Sequence, residues 1–460
     1  MIRSLTCFAA PSTTARPAHL VAAAAWNGWL AAQPEARRAW LATSGFKGKP
    51  GSAALLPGAA GGAEAVVVLS DPPSPWDIAE LRGIATSGTW RLVGDIDSAA
   101  AALGWALAAY RFTAYKSESN DAPLLALAHT PATERACILA ESFYLARDLV
   151  NLPANDLGPA ELAGAVEEVG AAQHADVHIV VGDALLAEGY PLLHAVGRAS
   201  ARAPRLAELR WGNPDAPRLT LVGKGVCFDS GGLDIKPASG MAAMKKDMGG
   251  AALMLALAQA VMRQGLPVRL RLLVPAVENA VGSRAFRPGD ILRSRKGLSV
   301  EIGNTDAEGR LILADALADA DTERPALLLD AATLTGAARV ALGPEIPALF
   351  TPDDALASEL LGHAERLGDP LWRLPLHTAY RRWLDSPIAD INNAGSKPFA
   401  GAITAALFLK EFVTETRAWA HLDIYAMNDE ARAGRPRGGE ASALRALLAL
   451  VEARFSGASP

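Results

Sequence analysis

Residues 304–310, with the sequence NTDAEGR, contain the most informative side chains of the chain. Asp306 and Glu308 are separated by one alanine, so their carboxylates can bind a cation together. Arg310 closes the motif with a guanidinium group that binds anions. Gly309 has no side chain and therefore permits close approach of the backbone, which matters where carbonyl groups also bind a metal. The motif predicts a metal site with an anion-binding group beside it.

A second motif upstream provides further candidates for the same site. Residues 223–250 have the sequence GKGVCFDSGGLDIKPASGMAAMKKDMGG. Their candidate site residues are Lys224, Asp229, Lys236 and Asp247. Oxygen ligands in this number, without a histidine among them, suit one or two divalent ions such as Mn²⁺, Mg²⁺ or Zn²⁺. A site for two metal ions is the sharper interpretation.

The surrounding sequence alternates predicted strands and predicted helices. We predict strands at 219–222, 268–274 and 326–329, and helices at 242–263 and 310–320. This alternation predicts an α/β fold with a mixed, mainly parallel sheet flanked by helices. Ligands of such sheets gather at the carboxyl ends of strands. We therefore expect loops at one edge of the sheet to carry Lys224, Asp229, Asp306 and Glu308.

A smaller α/β domain is predicted before this region. The first 120 residues alternate alanine-rich helical stretches with apolar, β-branched runs. A helical pattern over residues 133–151 then ends at the proline-containing loop NLPAN. We predict an N-terminal α/β domain at 1–150, ending in this connecting helix, and a catalytic domain at 151–460.

Composition and charge limit the classes of function. The chain has 460 residues, of which 50% are hydrophobic and 20% are charged, as in globular proteins. A net charge of −5 argues against a nucleic-acid partner, and the sequence lacks the roughly 20 apolar residues in a row that span a membrane. Three scattered cysteines form no disulfide framework, so we expect a cytoplasmic protein.

Two of the candidate lysines have more than one interpretation. Lys224 lies between glycines, but the order of residues differs from that of a phosphate-binding loop. As a metal ligand it would have to lose its proton, which a bound cation can replace. Lys236 is either an ordinary surface lysine or, close to a divalent ion, a charged group that polarises a carbonyl.

Other chemistry-bearing residues are expected to be structural. Lys245 and Lys246 are typical of a solvated helix face, Cys227 lies in an apolar strand-like run, and His421 is expected to form structural hydrogen bonds. The chain has neither the GxSxG motif of serine hydrolases nor the HExxH motif of one large metalloprotease class.

Together, the motifs VGKGVCFDSGGLDIKP, MKKDMGG, NTDAEGR and DAATLTGA closely resemble those of the leucine aminopeptidase family, exopeptidases that use two metal ions. The resemblance covers about residues 150–450, including 392–395 (NNAG) and 400–406. The first 150 residues resemble the family less clearly, so its smaller N-terminal domain is inferred mainly from the motifs beyond residue 150.

The resemblance implies metal-binding roles for five positions, all occupied by the expected residue type. Asp229 and Glu308 would bridge the two ions, Lys224 and Asp247 would complete the site of one, and Asp306 that of the other. The implied ions are Mn²⁺ or Zn²⁺.

The resemblance also implies catalytic and substrate-binding roles. Lys236 would polarise the scissile carbonyl, and Arg310 would hold a bicarbonate ion that moves the proton. The implied substrate-binding residues are Met244, Asn304, Thr333, Leu334 and Gly336. The expected activity is removal of one N-terminal residue at a time from peptides, by a water held between the metals, in a homo-hexamer built through the C-terminal domain.

One segment departs from the better-known members of the family, which have small residues and then a methionine. Here Tyr425 and Asn428 occupy the segment YAMN. A bulky tyrosine and a polar asparagine would narrow the side-chain pocket or admit water to it, which predicts an altered or broader preference for the first side chain.

Three alternatives stay open at the level of sequence. A two-metal phosphoesterase would use the same ligands. A non-catalytic relative would have no evident need for five intact metal positions. A DNA-binding relative is disfavoured by a pI of about 6.0.

Overall fold

The computed structural model describes residues 2–58, 62–116 and 121–456. The chain forms two compact units. The N-terminal unit comprises Arg3–Tyr144 and a later segment, Asp429–Arg437, and the C-terminal unit comprises Leu145–Asn428 and the chain from Gly438 onward. The change of unit at Tyr144 falls inside a single helix, Pro131–Asn151. The boundary predicted near residue 150 stays a prediction.

The N-terminal unit is built on a six-stranded sheet. Its strands are β1 (Phe8–Ala9), β2 (Arg16–Ala22), β3 (Ser52–Pro57), β4 (Ala63–Leu69), β5 (Thr89–Val93) and β6 (Leu124–Ala126). Its helices are α1 (Trp26–Ala31), α2 (Glu35–Thr43), α3 (Pro75–Ile84), α4 (Ser98–Ala109) and the first part of α5 (Pro131–Asn151), with a short 3₁₀ helix at Ala23–Ala25. The strand order is β1-β6-β5-β2-β4-β3, and only the pairing of β3 with β4 is antiparallel.

One buried carboxylate in this unit has a purely local role. Asp77, in the first turn of α3, is 1% exposed. Its Oδ1 accepts a hydrogen bond from Ser70 Oγ at 2.6 Å, and its Oδ2 accepts one from the backbone N–H of Ser74 at 2.9 Å. The bond from Ser74 belongs to a capping box, which satisfies N–H groups that a helix start leaves unpaired, and the bond from Ser70 ties the preceding loop to the helix.

The C-terminal unit contains the remaining strands and helices. Its strands are β7 (Asp176–Val181), β8 (Arg205–Trp211), β9 (Arg218–Gly223), β10 (Gly225–Asp229), β11 (Arg269–Asn279), β12 (Ile291–Arg293), β13 (Ser299–Glu301), β14 (Leu327–Ala332), β15 (Ala348–Phe350), β16 (Trp372–Arg373), β17 (Ile391–Asn392), β18 (Trp419–Asp423), β19 (Met427–Asn428) and β20 (Gly438–Gly439). Its helices are α6 (Pro159–Ala172), α7 (Ala184–Ala187), α8 (Pro191–Gly197), α9 (Ala238–Met241), α10 (Gly249–Arg263), α11 (Glu308–Thr322), α12 (Gly336–Leu342), α13 (Asp354–Leu367), α14 (Gly401–Lys410) and α15 (Leu444–Phe455), with 3₁₀ helices at Met244–Met248 and Thr378–Leu384.

A large mixed sheet organises this unit. Its strand order is β16-β15-β18-β14-β9-β11-β8-β7, with β10 pairing to β11. The central pairs β18-β14, β14-β9 and β9-β11 are parallel, and antiparallel pairs join β7 to β8, β8 to β11 and β15 to β18. The predicted fold class, with its mixed and mainly parallel sheet, is confirmed.

The predicted elements around the site agree with the structure except in one place. The predicted strands fall on β9, β11 and β14, and the predicted helix at 310–320 lies within α11. The helix predicted at 242–263 instead begins as α10 at Gly249, after the 3₁₀ helix Met244–Met248. A Cβ at Gly250 would lie 2.1 Å from the carbonyl oxygen of Ala331, so glycine lets the start of α10 pack directly on β14.

The central strands and helices of this unit are apolar because both faces of the sheet are covered. Leu219, Leu221 and Leu328 are fully buried in the sheet, and α10 is buried along most of its length. Among the helices of the described chain, none combines the length and the hydropathy that crossing a bilayer requires.

Candidate metal centre and active site

Three carboxylates meet from the end of a strand, a turn and the start of a helix. Asp229 is the last residue of β10, Asp306 lies in the turn after β13, and Glu308 is the first residue of α11. One carboxylate oxygen from each lies within 4.8 Å of the others. The expectation that all would lie in loops is wrong for Asp229 and Glu308. The partial positive charge at a helix N-terminus favours an acid such as Glu308.

Lys224, between β9 and β10, joins this cluster to Asp247. Its Nζ lies 2.7 Å from Asp247 Oδ2 and 3.0 Å from Glu308 Oε1, and donates a hydrogen bond to the carbonyl oxygen of Thr333 at 3.0 Å. Burial lowers the pKa of Lys224, but the charges of Asp247 and Glu308 outweigh burial and raise that pKa above its ordinary value. The lysine therefore occupies this position as a cation held between carboxylates.

Gly309 makes the position of Lys224 possible. A Cβ at Gly309 would lie 2.5 Å from Lys224 Cε and 2.6 Å from its Nζ. The close approach expected from the NTDAEGR motif is therefore made by a lysine side chain from the other motif.

Lys236 forms the second cationic contact. Its Nζ lies 2.8 Å from Asp229 Oδ2 and also pairs with Asp306 Oδ1. Burial lowers its pKa, but the charges of Asp229 and Asp306 beside the ammonium group raise it above the ordinary value. Lys236 is therefore not an ordinary surface lysine, and its ammonium group is held at the carboxylate cluster.

The cluster fits divalent cations by its chemistry. Burial, followed by the charge of Asp229, raises the pKa values of Asp306 and Glu308, so these carboxylates lack sufficient positive charge nearby. Among the described atoms, Asp247 Oδ2 and Asp306 Oδ1 have ammonium groups beside them but no donor in hydrogen-bond geometry. Buried oxygen atoms of this kind are the ligands that Mn²⁺, Mg²⁺ and Zn²⁺ accept.

Side chains that the sequence did not single out hold the acids in place. Asn279, the last residue of β11, donates from Nδ2 to Asp229 Oδ1 at 2.9 Å. Asn393 accepts at Oδ1 from the backbone N–H of Gly303 at 2.8 Å and donates from Nδ2 to the carbonyl oxygen of Asn304 at 2.8 Å. The only sequence signal for Asn279 is a polar residue at the end of an apolar strand, and Asn393 lies in the NNAG motif without a predicted role.

A cavity of about 290 Å³ lies beside the cluster. Most of the predicted substrate-binding residues line it, and the lining includes Lys236, Met244, Thr333, Leu334, Gly336 and Tyr425. Asn304 is exposed and lies outside this lining, where its Oδ1 accepts a hydrogen bond from the backbone N–H of Asp306 at 2.7 Å. The structure thus places Asn304 in the turn that holds Asp306.

Arg310 lies in α11 outside the cavity lining and is 8% exposed. Its Nη1 donates to the carbonyl oxygen of Asn393 at 2.7 Å, while its Nε has no acceptor in the described part of the chain. Burial lowers the pKa of Arg310 to about 10, so the guanidinium group keeps its charge at neutral pH.

One wall of the cavity is fixed by Asp423, which the sequence analysis did not assign. Its Oδ1 accepts a hydrogen bond from the backbone N–H of Leu334 at 2.9 Å, and Thr335 Oγ1 donates to its Oδ2 at 2.6 Å. Thr333 Oγ1 donates to Asp247 Oδ1 at 2.7 Å. The loop before α12 is therefore tied both to β18 and to the metal-site acid Asp247.

Two expectations about side chains near the site are wrong. Lys246 does not lie on a solvated helix face, because it is buried and lines the cavity. Lys245 is half-buried and donates from Nζ to the carbonyl oxygen of Asn151 at 2.6 Å. Asn428 does not line the cavity with Tyr425, because it is buried and its Nδ2 donates to Glu440 Oε2 at 2.7 Å.

The structural roles expected for two other residues are confirmed. Cys227 is 1% exposed, and burial raises the pKa of its thiol far above the ordinary value, so it is a core residue. His421 is buried in β18, and its Nδ1 is hydrogen-bonded to Asp330 Oδ1 at 2.5 Å.

Buried carboxylates and lysines at the carboxyl edge of an α/β sheet, next to a small cavity, define a metal-dependent enzyme. Comparison with known proteins gives the family. Residues 144–448 match the catalytic domain of the cytosol aminopeptidase family, and residues 16–128 match the N-terminal domain of M17 aminopeptidases. The chain belongs to the cytosol aminopeptidase family, which confirms the resemblance to leucine aminopeptidases.

Individual relatives agree with this assignment over nearly the whole chain. A protein named "Probable cytosol aminopeptidase" from Streptomyces griseus is 39% identical, and the match covers 91% of this chain and 90% of the relative. The crystal structure of the Coxiella burnetii cytosol aminopeptidase is 46% identical, with a TM-score of 0.93, and covers 98% of this chain and 100% of that one. The bottromycin maturation enzyme BotP, solved in complex with Mn, is 38% identical, with a TM-score of 0.86, and covers 95% of this chain and 99% of that one.

The chain is therefore a metal-dependent aminopeptidase that acts on peptides and uses a divalent metal. Family membership favours the peptidase over the phosphoesterase that would use the same ligands.

Proposed function

We propose that this protein removes single N-terminal residues from peptides, using two divalent ions held by Lys224, Asp229, Asp247, Asp306 and Glu308. The observation that carries the proposal is the convergence of these residues, from two separate motifs, beside one small cavity. In this assignment Asp229 and Glu308 would contribute to holding both ions.

When bound, Mn²⁺ or Zn²⁺ ions supply Lewis acidity, which lowers the pKa of a water molecule and polarises a carbonyl group. Lys224 would become a ligand by giving up its proton as the cation enters. Thr333 and Asn279 keep Asp247 and Asp229 in orientation through the hydrogen bonds described above.

The cavity supports a preference for the chain terminus. Its volume of about 290 Å³ is close to the lower end of the range of about 300–1,000 Å³ that is usual for small-molecule sites. A free α-amino group is also attracted to the acidic cluster, whereas an acetylated amine has lost that charge. These properties favour cleavage after the first residue.

Lys236 is the proposed electrophile. Its ammonium group lies at the cavity wall, where it can donate a hydrogen bond to the oxygen of the scissile carbonyl as negative charge develops there. Arg310 is the proposed holder of bicarbonate, which would supply a base. Among the described residues that line the cavity there is no histidine or glutamate to serve as that base.

The test is release of the first residue from Leu and Ala anilides by protein loaded with Mn²⁺ or Zn²⁺, with N-acetylated substrates in parallel. We expect metal-dependent release that acetylation abolishes. Lys236→Ala should lower kcat by about 100- to 1,000-fold while metal content is retained. Lys47→Ala, at an exposed lysine of the N-terminal unit, is the matched control and should behave as wild type.

Equal cleavage of acetylated substrates, or a fully active Lys236→Ala variant, would overturn the proposal. If the loaded protein cleaves no anilide, hydrolysis of bis(p-nitrophenyl) phosphate tests the phosphoesterase alternative.

We also propose that the protein is a cytoplasmic homo-hexamer with residues 151–460 as its catalytic domain. The family resemblance supports the assembly, and the location of all five proposed metal-binding residues in the C-terminal unit supports the domain assignment. Light scattering during size-exclusion chromatography should give six times the mass of one chain, and a monomer or dimer mass would contradict this assembly.

A further inference from the structure

Lys246 is a buried lysine that lines the cavity. It lies in the 3₁₀ helix Met244–Met248, is 5% exposed, and lines the cavity together with Met244 and Asp247. Within the described chain its Nζ has no hydrogen-bond acceptor, and the one carboxylate oxygen within reach, Asp247 Oδ1, is 4.0 Å away. Because burial removes water from the ammonium group, such a cation is stabilised by an anion brought in by a ligand.

Arg339 brings a second positive charge to the same wall. It lies in α12 and is exposed, and it forms no ion pair with a carboxylate of the described residues. Its Cζ lies 4.8 Å from the centre of the Tyr425 ring, and Lys246 Nζ lies 5.4 Å from the same centre. Both cations are therefore held near one aromatic ring by cation–π attraction.

The cationic wall differs from the remaining charges that line the cavity. Lys224 and Lys236 are paired with the acids of the proposed metal centre. Asp423 is occupied by donors from Leu334 and Thr335. Among the described residues, the basic side chains of the lining with no close anionic partner are thus Lys246 and Arg339.

We propose that Lys246 and Arg339, positioned by Tyr425, bind the side-chain carboxylate of an acidic first residue, so that peptides beginning with Glu or Asp are substrates. This inference rests on the proposed aminopeptidase function and specifies its substrate class. The acidic residue would place its backbone at the metal centre and its side-chain carboxylate at the cationic wall of the same cavity. A neutral side chain of the same shape, such as Gln or Asn, would leave that wall without its anion.

The experiment compares kcat/KM for anilides of Glu, Gln, Asp, Asn and Leu with the metal-loaded enzyme. We expect Glu over Gln and Asp over Asn. Lys246→Met should lower the Glu-to-Gln ratio by about tenfold or more, as loss of a desolvated charge pair does. Arg339→Gln should lower the same ratio by a smaller factor, because Arg339 is exposed.

Matched variants separate charge from packing. Lys246→Arg keeps the charge and should keep a Glu-to-Gln ratio above one. Lys245→Met, at the neighbouring lysine that bonds to Asn151, should leave the ratio at the wild-type value. If Lys246→Met does not fold, Lys246→Arg and Arg339→Gln still test the assignment.

The outcomes distinguish this inference from the function on which it rests. The inference would be overturned if the enzyme releases Leu but its kcat/KM ratio for Glu over Gln is at or below one. It would also be overturned if neither Lys246→Met nor Arg339→Gln changes that ratio. Either result would leave the aminopeptidase function intact. Release of no residue from any anilide would instead overturn the aminopeptidase. A further outcome is that Lys246→Met lowers kcat/KM for Leu-Gly and leaves kcat/KM for Leu-Gly amide unchanged. That result would show that the cationic wall binds the C-terminal carboxylate of a peptide, and it would contradict the inference.

Discussion

The two units of the chain treat buried carboxylates differently. In the N-terminal unit, Asp77 is buried at the start of α3, and the hydrogen bonds that described residues donate to its carboxylate come from Ser70 and Ser74, close by in sequence. In the C-terminal unit, Asp229, Asp306 and Glu308 are brought together from distant parts of the chain. The pKa values of Asp306 and Glu308 are raised, chiefly by burial. A buried acid that completes a helix start contributes to stability. A convergent group of buried acids is instead destabilised by mutual repulsion and loss of water, and a bound cation would relieve both.

Replacing Glu308 by Gln should have the largest effect on activity. The substitution preserves shape but removes the negative charge from one of the residues that would hold the ions. We expect kcat/KM for Leu anilide to fall by about a thousandfold or more and bound metal to decrease. Steady-state kinetics and metal analysis by mass spectrometry measure both quantities, and kcat/KM within tenfold of wild type would remove Glu308 from the proposed ligand set.

Gly309→Ala should have an intermediate effect. The new Cβ would occupy the space of Lys224 Cε, and Lys224 has little freedom to move because Asp247 and Glu308 hold its ammonium group. We expect metal affinity and kcat/KM to fall by about 10- to 100-fold, as when a partner of a metal ligand is displaced.

The control for this variant is Gly164→Ala in α6, where no described atom apart from the adjoining residues and the backbone of the same helix lies within 4 Å of the added Cβ. That change should leave activity at wild type and stabilise the helix by about 0.5–1 kcal/mol. Equal activity of the two alanine variants would show that Lys224 relaxes without cost.

Asp77→Asn should have the smallest effect on activity. It is the same carboxylate-to-amide change as Glu308→Gln, placed where the carboxylate holds a helix start and the nearby Ser70. We expect unchanged kcat/KM and a decrease of about 1 kcal/mol in the free energy of unfolding, measured by urea denaturation. A loss of activity without a loss of stability would contradict the contrast between the units.

The residues of the site were more predictable than their surroundings. Lys224, Asp229, Asp247, Asp306 and Glu308 stand in short motifs, so their types and order were visible, and the structure brings them together. Their roles as metal ligands stay predictions.

Contacts between distant segments were not visible in this way. Asn279 lies 50 residues from Asp229, and Asn393 lies 89 residues from Asn304, so no local pattern announces either hydrogen bond. Lys246 was misjudged because two adjacent lysines are typical of a solvated face. The 3₁₀ helix turns Lys246 to the cavity, while Lys245 bonds to Asn151.

The element types followed from periodicity, whereas one boundary depended on packing. The apolar runs of β9, β11 and β14 predicted buried strands, and that prediction is confirmed. The start of α10 could not be derived from helical periodicity, because it is set by the close approach of Gly250 to Ala331 in β14.

The segment Asp429–Arg437 limits how the two units can be exchanged between related genes. It belongs to the N-terminal unit, where the guanidinium of Arg435 lies 4.3 Å from the ring centre of Trp76, yet it is encoded after most of the C-terminal unit. A gene fragment that starts after Tyr144 would carry this segment without Trp76. The N-terminal unit therefore cannot be exchanged as one continuous piece of gene. A recombination that replaces residues 3–144 must also replace residues 429–437.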